Sequence, residues 1–327
     1  VGGLSSTNVQ SLTTTQVAAI STTSLVSLDA TQVAALTATQ VANLTATQIG
    51  ALTTTNLSSF TETQVGAITA TQIKSLSTTN LSALGETQTG ALTTTQIASL
   101  STAQVGALNA TDIRELDAPQ IGALTATQLS RLTTEAVVAL DATQLGGLNT
   151  TQLQSFVTTQ MGALGAGDVA EFNETQIAQL TATQIRSLTA TAVGALADTQ
   201  IAALTTAQVQ SLSTTSMADL DATQVAALTT TQVRSITVAQ ISALSTGDVQ
   251  EFTTDQIAAL TVTQLGAFNS TKYAALTDAQ IAHFHKIAHT EVRDGDRRGQ
   301  TPSSGAMIKS RHVDGRAARR GPAPHSR

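Results

Sequence analysis

Residues 37–44 read Thr-Ala-Thr-Gln-Val-Ala-Asn-Leu, and this octad decides the fold because it recurs without insertion or deletion along most of the chain. A large apolar residue stands at every eighth position from Leu4 to Phe284, which gives 35 consecutive copies. A strict period of this kind is typical of repeat architectures, in which each unit packs mainly on its neighbours. We therefore expect one elongated array rather than the two globular domains that 327 residues suggest.

The eight positions of the octad, counted from the residue after the recurring apolar one, have distinct compositions. Position one is Ser, Thr, Asp or Asn in 31 copies, and the exceptions are Gly85, Val157, Gly165 and Ala197. Position four is Gln in 24 copies, and position five is a large apolar residue in every copy except the one with Thr89. Positions six and seven are mostly small, and position eight is Leu, Ile or Phe.

This pattern predicts a short helix in every octad. A Thr followed three residues later by Gln is the capping-box signature of a helix start, so Thr37 and Gln40 should exchange hydrogen bonds. The apolar positions five and eight are three residues apart and share one helix face. Pro119 stands at position three, within the first turn, where a missing amide costs nothing. We expect helices of five or six residues, each followed by a new cap.

No octad can be stable alone, because burying two large apolar side chains stabilises less than the ordering of eight residues costs. Stacking is therefore obligatory. The sequence predicts an all-α fold, a superhelical α-solenoid of about 35 very short capped helices, in which small residues at positions six and seven allow close approach.

Two other architectures are compatible with a period of eight. A single continuous helix is excluded, because its apolar stripe would rotate by about 80° per octad and could not be buried along its length. A β-solenoid remains the alternative, with Thr side chains in register along one face. It would turn Val41 outward while burying Gln40, and turn residues are scarce in the array.

The octad register ends at Phe284, which divides the chain into an array, residues 1–284, and a tail, residues 285–327. The array has a net charge of −12 and the tail a net charge of +6. The Gly-, Pro- and Arg-rich tail predicts disorder. Three interpretations of the tail remain open: a solvated terminus, the product of a shifted reading frame, or a basic arm that binds an acidic surface. Nucleic acid is a poor candidate for a ligand of such an arm, because no aromatic residue follows Phe284 to stack on bases. Because Val1 stands in mid-octad, we interpret the chain as a fragment.

Three octads have Asp in place of Gln at position four and Glu three residues later. Each pair can share a cation or, more simply, Asp can complement the helix dipole while Glu finds a partner such as Arg114. Glycines beside two of these octads indicate local bends. The pairs are Asp112/Glu115, Asp168/Glu171 and Asp248/Glu251, and the glycines are Gly165, Gly167 and Gly247.

The histidines cluster at the end of the array, as His283, His285 and His289. His285 and His289 are four residues apart, as two metal ligands on one helix face would be. A zinc site needs further ligands, for which only Glu291 or His312 is near, so we interpret these residues as polar groups at a frayed end and predict no metal site.

The residues of the array exclude most catalytic chemistry. The chain has no Cys, and the array has no His before position 283, so a nucleophile would lack a base. No phosphate-binding Gly loop and no regular ligand spacing occurs inside the octads. We expect no catalytic residue, no cofactor, no haem site and no enzyme activity. No apolar run approaches the roughly 18 residues that a membrane span needs.

Copies such as Leu-Thr-Ala-Thr-Gln-Val at 36–41 and Leu-Thr-Thr-Thr-Gln-Ile-Ala at 92–98 resemble the Thr/Gln/Ala octapeptide arrays of large proteobacterial exoproteins, which carry haem-utilisation or adhesion labels. The resemblance covers residues 1–284. It implies an extended module of a secreted or cell-surface bacterial protein.

Three functions are compatible with the pattern. The first is a structural or adhesive spacer, because repetition with almost unvaried surfaces builds length. The second is an α-solenoid that binds a protein or cell-surface partner in a groove of positions six and seven, where Arg114, Arg131, Arg186 and Arg234 should cluster. The third is a Thr array that binds ice or polysaccharide, and it requires the β-solenoid.

Overall fold

The computed structural model describes residues 3–286, and in this part of the chain every regular element is a helix. The predicted all-α solenoid is confirmed. The β-solenoid alternative is wrong, and the Thr array for ice or polysaccharide loses its basis with it, since residues 3–286 contain no strand. The Thr hydroxyls cap helix starts and form no ladder.

There is one helix per octad in the described residues. Helices α1 to α34 have four to six residues each, and the helix that contains Phe284 is longer and covers 278–286. The other bounds are α1 Ser6–Gln10, α2 Thr14–Ala18, α3 Thr22–Val26, α4 Ala30–Ala34, α5 Ala38–Ala42, α6 Ala46–Ala51, α7 Thr54–Ser58, α8 Glu62–Ala67, α9 Ala70–Ile73, α10 Thr78–Leu81, α11 Glu86–Gly90, α12 Thr94–Ser99, α13 Thr102–Val105, α14 Ala110–Glu115, α15 Ala118–Ala123, α16 Ala126–Leu129, α17 Thr134–Val138, α18 Ala142–Gly146, α19 Thr150–Leu153, α20 Thr158–Ala163, α21 Ala166–Ala170, α22 Glu174–Gln179, α23 Ala182–Ser187, α24 Ala190–Gly194, α25 Asp198–Ala203, α26 Thr206–Ser211, α27 Thr214–Ala218, α28 Ala222–Ala227, α29 Thr230–Ser235, α30 Val238–Ala243, α31 Thr246–Glu251, α32 Thr254–Ala259, α33 Val262–Leu265 and α34 Ser270–Ala275.

Most helices start at the predicted capping box, and the exceptions include α3, α10, α17, α24, α27 and α34. The Thr37 hydroxyl accepts a hydrogen bond from the Gln40 amide at 3.2 Å, and the Thr37 amide donates to Gln40 Oε1 at 2.7 Å. Many helices end at an apolar residue with extended backbone, as at Leu52 (φ −58°, ψ 140°), and the next cap, Thr53, is extended too. Two extended residues in succession turn the chain and separate one short helix from the next.

The four octads without a polar cap keep half of the box. The amides of Gly85, Val157, Gly165 and Ala197 still donate to the side chain at position four, at 2.7–3.2 Å. The helix start therefore depends on the position-four oxygen as well as on the hydroxyl.

The described residues divide into two compact units, the first ending at Leu212 and the second beginning at Ser213. Within each unit, the helices that pack most closely on each other are three octads apart. In the first unit α5 packs on α8 and α20 on α23, and in the second unit α29 packs on α32. Residues 287–327, which include His289 and nearly all of the predicted tail, lie outside the described residues.

Positions five and eight form the core of both units. Val41 and Leu44 are 0% and 4% exposed, and Ile257 and Leu260 are 0% and 3% exposed. Two apolar residues per octad on one helix face are therefore enough to form a core, because neighbouring turns of the chain cover that face.

Candidate functional site

Position four supplies the link between successive turns of the chain. Gln64 is 2% exposed, and its Oε1 accepts a hydrogen bond from the Thr61 amide at 2.7 Å. Its Nε2 donates to the carbonyls of Val33 at 2.9 Å and Leu36 at 2.6 Å, 31 and 28 residues earlier. One amide thus caps its own helix and holds the end of the helix four octads before it. We call this second contact the glutamine bridge.

The sequence predicted the cap and missed the bridge. Because each octad contacts the octads three and four before it, one turn within a unit contains between three and four octads. The second unit repeats the geometry, since Gln256 Nε2 donates to the carbonyls of Val225 and Leu228 at 2.7 Å. The buried amide offsets its desolvation by using both its oxygen and its nitrogen.

The octads that lack Gln at position four are not scattered. After Asn8 they follow one another at steps of four or three octads, which is the spacing of octads that contact each other. We call this series the non-glutamine line. Its members are Ser24, Asn56, Asn80, Asp112, Ala136, Asp168 and Ala192 in the first unit, and Ser216, Asp248 and Lys272 in the second.

Contacts within each unit confirm that this spacing forms a line. Helix α7 packs on α10, α14 on α17 and α21 on α24, while α31 packs on α34 in the second unit. Steps of four octads are joined by side chains, because Asn56 Nδ2 contacts the carbonyls of Val26 and Leu28 at 3.4 Å, and the Ser82 hydroxyl donates to Asp112 at 2.9 Å. The line therefore runs along one side of each unit.

Acidic residues concentrate on the same line. Every Asp or Glu at positions four to eight of an octad within residues 5–284 belongs to one of its octads, and the other acids of the array stand at positions one to three, near helix starts. The sequence alone shows that these acids occur only in octads without Gln at position four. That these octads lie on one line could be inferred only once the number of octads per turn was known. The acids at positions four and seven are Asp112, Glu115, Asp168, Glu171, Asp219, Asp248 and Glu251.

The first acidic pair does not share a ligand. Asp112 is 7% exposed, and its Oδ2 accepts hydrogen bonds from the Asn109 amide and the Ser82 hydroxyl, both at 2.9 Å. Glu115 accepts from the Thr89 hydroxyl at 3.2 Å. The expected partner Arg114 is thus replaced by Thr89, the one polar residue at position five. This hydrogen bond thus joins two residues that depart from the repeat, Thr89 at position five and Glu115 at position seven.

In the other two pairs the Asp residue is hydrogen-bonded at the helix start. Asp168 Oδ2 accepts from the Gly165 amide at 2.7 Å, and Asp248 accepts from the Ser245 amide and hydroxyl. Glu251 Oε2 is buried and has no hydrogen-bond partner. Burial, with Asp248 and Asp221 nearby, raises the pKa of Glu251. Within residues 3–286 no group of three His, Cys, Asp or Glu side chains is arranged to hold a metal ion.

The glycines near these pairs do not require a special backbone. Gly165 begins its helix with extended backbone (φ −93°, ψ −171°), and a Cβ at Gly167 would meet no atom within 4 Å. We find no bend that depends on either residue or on Gly247.

Lys272 occupies the position of the bridging Gln. It is 6% exposed, and its ammonium donates to the carbonyls of Ile241 at 3.0 Å and Ser242 at 2.6 Å. Burial lowers the pKa of Lys272, and the charge of Asp248 opposes that shift. The carbonyls at the end of a preceding helix therefore accept any donor of suitable length, whether amide or ammonium.

Positions six and seven lie between neighbouring helices. A Cβ on Gly50, at position six, would stand 2.8 Å from the carbonyl oxygen of Ser75, at position seven three octads later. Gln154 Nε2 donates to the Gln179 carbonyl at 2.8 Å in the same relation. The predicted close approach through small residues is confirmed at these octads, whereas a Cβ on Gly90 or Gly146, also at position six, would meet no atom within 4 Å.

The structure does not assemble the predicted arginine cluster. Arg114, Arg131 and Arg186 are exposed in the first unit. They belong to the octads of α14, α16 and α23, and no two of these three helices pack closely on each other. Arg234 belongs to the second unit and is also exposed.

Near the end of the described residues, His285 lies in an aromatic cluster with Tyr273 and Phe284. The Tyr273 hydroxyl is hydrogen-bonded to His285 Nε2, and Tyr273 packs edge to face on Phe284 with ring centroids 5.2 Å apart. Burial raises the pKa of Tyr273. His283 is half-buried at position seven. The structure thus gives His285 a tyrosine partner.

Comparison with known proteins supports the repeat class alone. Residues 226–262, within the second unit, match the family described as the ALTTAQ repeat. This segment contains Ala-Leu-Thr-Thr-Thr-Gln at 227–232. A search of curated proteins finds no match. Among the described helices, none combines the length and the apolar character needed to cross a membrane.

Proposed function

We propose that this chain is a non-enzymatic structural module of a bacterial surface or secreted protein, built to span distance, with adhesion as the role of the protein that carries it. The observation that supports this is the glutamine bridge. It repeats at each position-four glutamine from Gln40 to Gln208 in the first unit, with Nε2 to carbonyl distances between 2.5 and 3.5 Å.

Such a bridge makes octads interchangeable. Most octads bury their apolar residues and a glutamine, and leave Thr, Ser and Ala on the surface. Adding octads lengthens the array without creating a new surface, because the contacts of each octad are confined to neighbours three and four octads away. That property suits a spacer better than a selective receptor.

Partner binding through a groove at positions six and seven is less well supported. Some of those positions are occupied by contacts between helices, as at Gly50 and Gln154, and the arginines expected to line the groove are dispersed. A surface depression of about 290 Å³ in the first unit is lined largely by Ala, Thr and Asn, with Glu174 as its charged residue.

The test is the location of the array in the source bacterium. An antibody raised against residues 3–286 should label intact cells, or label the culture medium if the protein is released. Labelling that appears only after the cells are permeabilised would contradict the proposal. An antibody to a cytosolic protein of the same cells gives the control for membrane integrity.

A further inference from the structure

Octad 165–172 departs from the packing of the first unit. It contains α21, Ala166–Ala170. From α4 to α26, each helix packs closely on the helix three before it, with α21 as the exception, because α21 does not pack closely on α18. One of the two contacts that join successive turns is therefore missing at this octad.

The second contact, the glutamine bridge, is missing at the same octad. Position four is Asp168, whose Oδ2 accepts a hydrogen bond from the Gly165 amide within its own octad at 2.7 Å. A carboxylate has no N–H to donate, and no hydrogen bond in residues 3–286 reaches the carbonyl of Leu140, 28 residues earlier. Ala136 and Ala192 also lack the bridge, but their helices, α17 and α24, pack closely on α14 and α21. From α4 onwards, octad 165–172 is the one in the first unit that lacks both contacts.

The close approach between small residues is lost at the same place. A Cβ on Gly50 would stand 2.8 Å from the carbonyl oxygen 25 residues later, and a Cβ on Gly162 would stand 3.2 Å from the equivalent oxygen. A Cβ on Gly146 would meet no atom within 4 Å, so the carbonyl of Glu171, 25 residues later, lies farther away. Gly90 has the same open space, but its helix, α11, packs closely on α14. At Gly146 the open space coincides with the missing helix contact between α18 and α21.

Octad 165–172 is also weak within itself. Gly165 has no side chain that could accept a hydrogen bond at the helix start. Gly167 stands inside the short helix, where Gly is less favourable than Ala. The contacts that are missing towards the preceding turn are therefore not replaced by a stronger helix.

The octads on either side are held to the preceding turn. Gln160 Nε2 donates to the carbonyl of Leu132 at 2.8 Å, and α20 packs closely on α17. Gln176 Nε2 donates to the carbonyl of Leu145 at 2.7 Å, and α22 packs closely on α19. The weak contact is thus confined to the eight residues between two bridged octads.

We propose that the first unit opens first at octad 165–172, by separation of this octad from the turn that contains α17 and α18. Proteins open locally where few contacts hold a segment, while the rest of the fold stays closed. In a spacer under tension, the first unit then lengthens at this octad before its other turns separate. That consequence rests on the proposed function, whereas the local opening does not.

The test is hydrogen exchange of the full wild-type chain at one pH, with each rate divided by the intrinsic rate of its amide. The amides of Val169 and Phe172 are compared with those of Ile185 and Leu188, at the same positions of a bridged octad. There Gln184 Nε2 donates to two carbonyls, at 2.8 and 3.0 Å. Without those two hydrogen bonds, we expect octad 165–172 to be roughly twentyfold less protected, about fivefold for each. Equal protection of the two octads would overturn the proposal.

A variant tests the cause of the weakness. Asp168→Gln supplies an amide that can bridge to the Leu140 carbonyl while its oxygen still accepts from the Gly165 amide, so protection of residues 165–172 should rise by roughly tenfold or more. The matched control is Asp198→Gln, the same change at an exposed position two, which should leave that protection unchanged. A folded Asp168→Gln chain without added protection, or an equal gain in the control, would contradict the missing bridge as the cause.

Discussion

The glutamine bridge predicts that a single internal Gln→Ala substitution weakens two octads, that of the Gln and the one four octads before it. Gln72 is 3% exposed, and its Oε1 accepts from the Thr69 amide at 2.6 Å. Its Nε2 donates to the carbonyls of Val41 at 2.9 Å and Leu44 at 2.6 Å. Gln72→Ala removes all three contacts and leaves buried partners unsatisfied. At about 1 kcal/mol per hydrogen bond, the free energy of unfolding should fall by about 3 kcal/mol.

The assay is urea unfolding of the full chain, followed by far-UV circular dichroism. The control is Gln154→Ala, the same chemical change at an exposed position six, where one hydrogen bond to the Gln179 carbonyl is lost. Its cost should stay below about 1 kcal/mol, because water replaces the partner. Equal losses of stability in the two variants would refute the glutamine bridge as a principal contact between turns.

Three further predictions address the backbone, the buried carboxylate and the buried lysine. Gly50→Ala places a Cβ 2.8 Å from the Ser75 carbonyl oxygen and should lower the melting temperature. Gly90→Ala places a Cβ with no atom within 4 Å and should raise the melting temperature, because Ala in a helix adds about 0.5–1 kcal/mol to the free energy of unfolding relative to Gly. Folding raises the pKa of Glu251, so the stability that this residue contributes grows as the pH falls from 7 towards 4.5, the ordinary pKa of Glu. Glu251→Gln should therefore have a higher melting temperature than wild type at pH 7 and no higher one at pH 4. Lys272→Gln should preserve the hydrogen bond to the Ile241 carbonyl and keep the stability of the wild type. Lys272→Met should lower the free energy of unfolding in urea by about 1–3 kcal/mol. Equal stability of the two variants would count against a bridging role for Lys272.

The sequence predicted the local structure because the signals for a short helix lie within eight residues. Thr37, Gln40, Val41 and Leu44 carry the cap, its acceptor and the apolar face, and each behaves in the structure as its spacing predicts. The acidic pairs were recognised as exceptions for the same reason. Their partners were not, because Thr89 and Ser82 come from octads three and four earlier, and no local pattern indicates which octads meet.

The sequence by itself determined that each octad is a capped helix and that none can stand alone, since hydrogen bonds and apolar spacing within eight residues are local properties. Only the tertiary structure decided how many octads complete a turn. That number depends on how closely small residues such as Gly50 let helices approach, and on a glutamine amide that spans the remaining gap. Once it is known, the steps from Asn80 to Asp112 and from Asp112 to Ala136 become neighbours along one line rather than irregularities in a repeat.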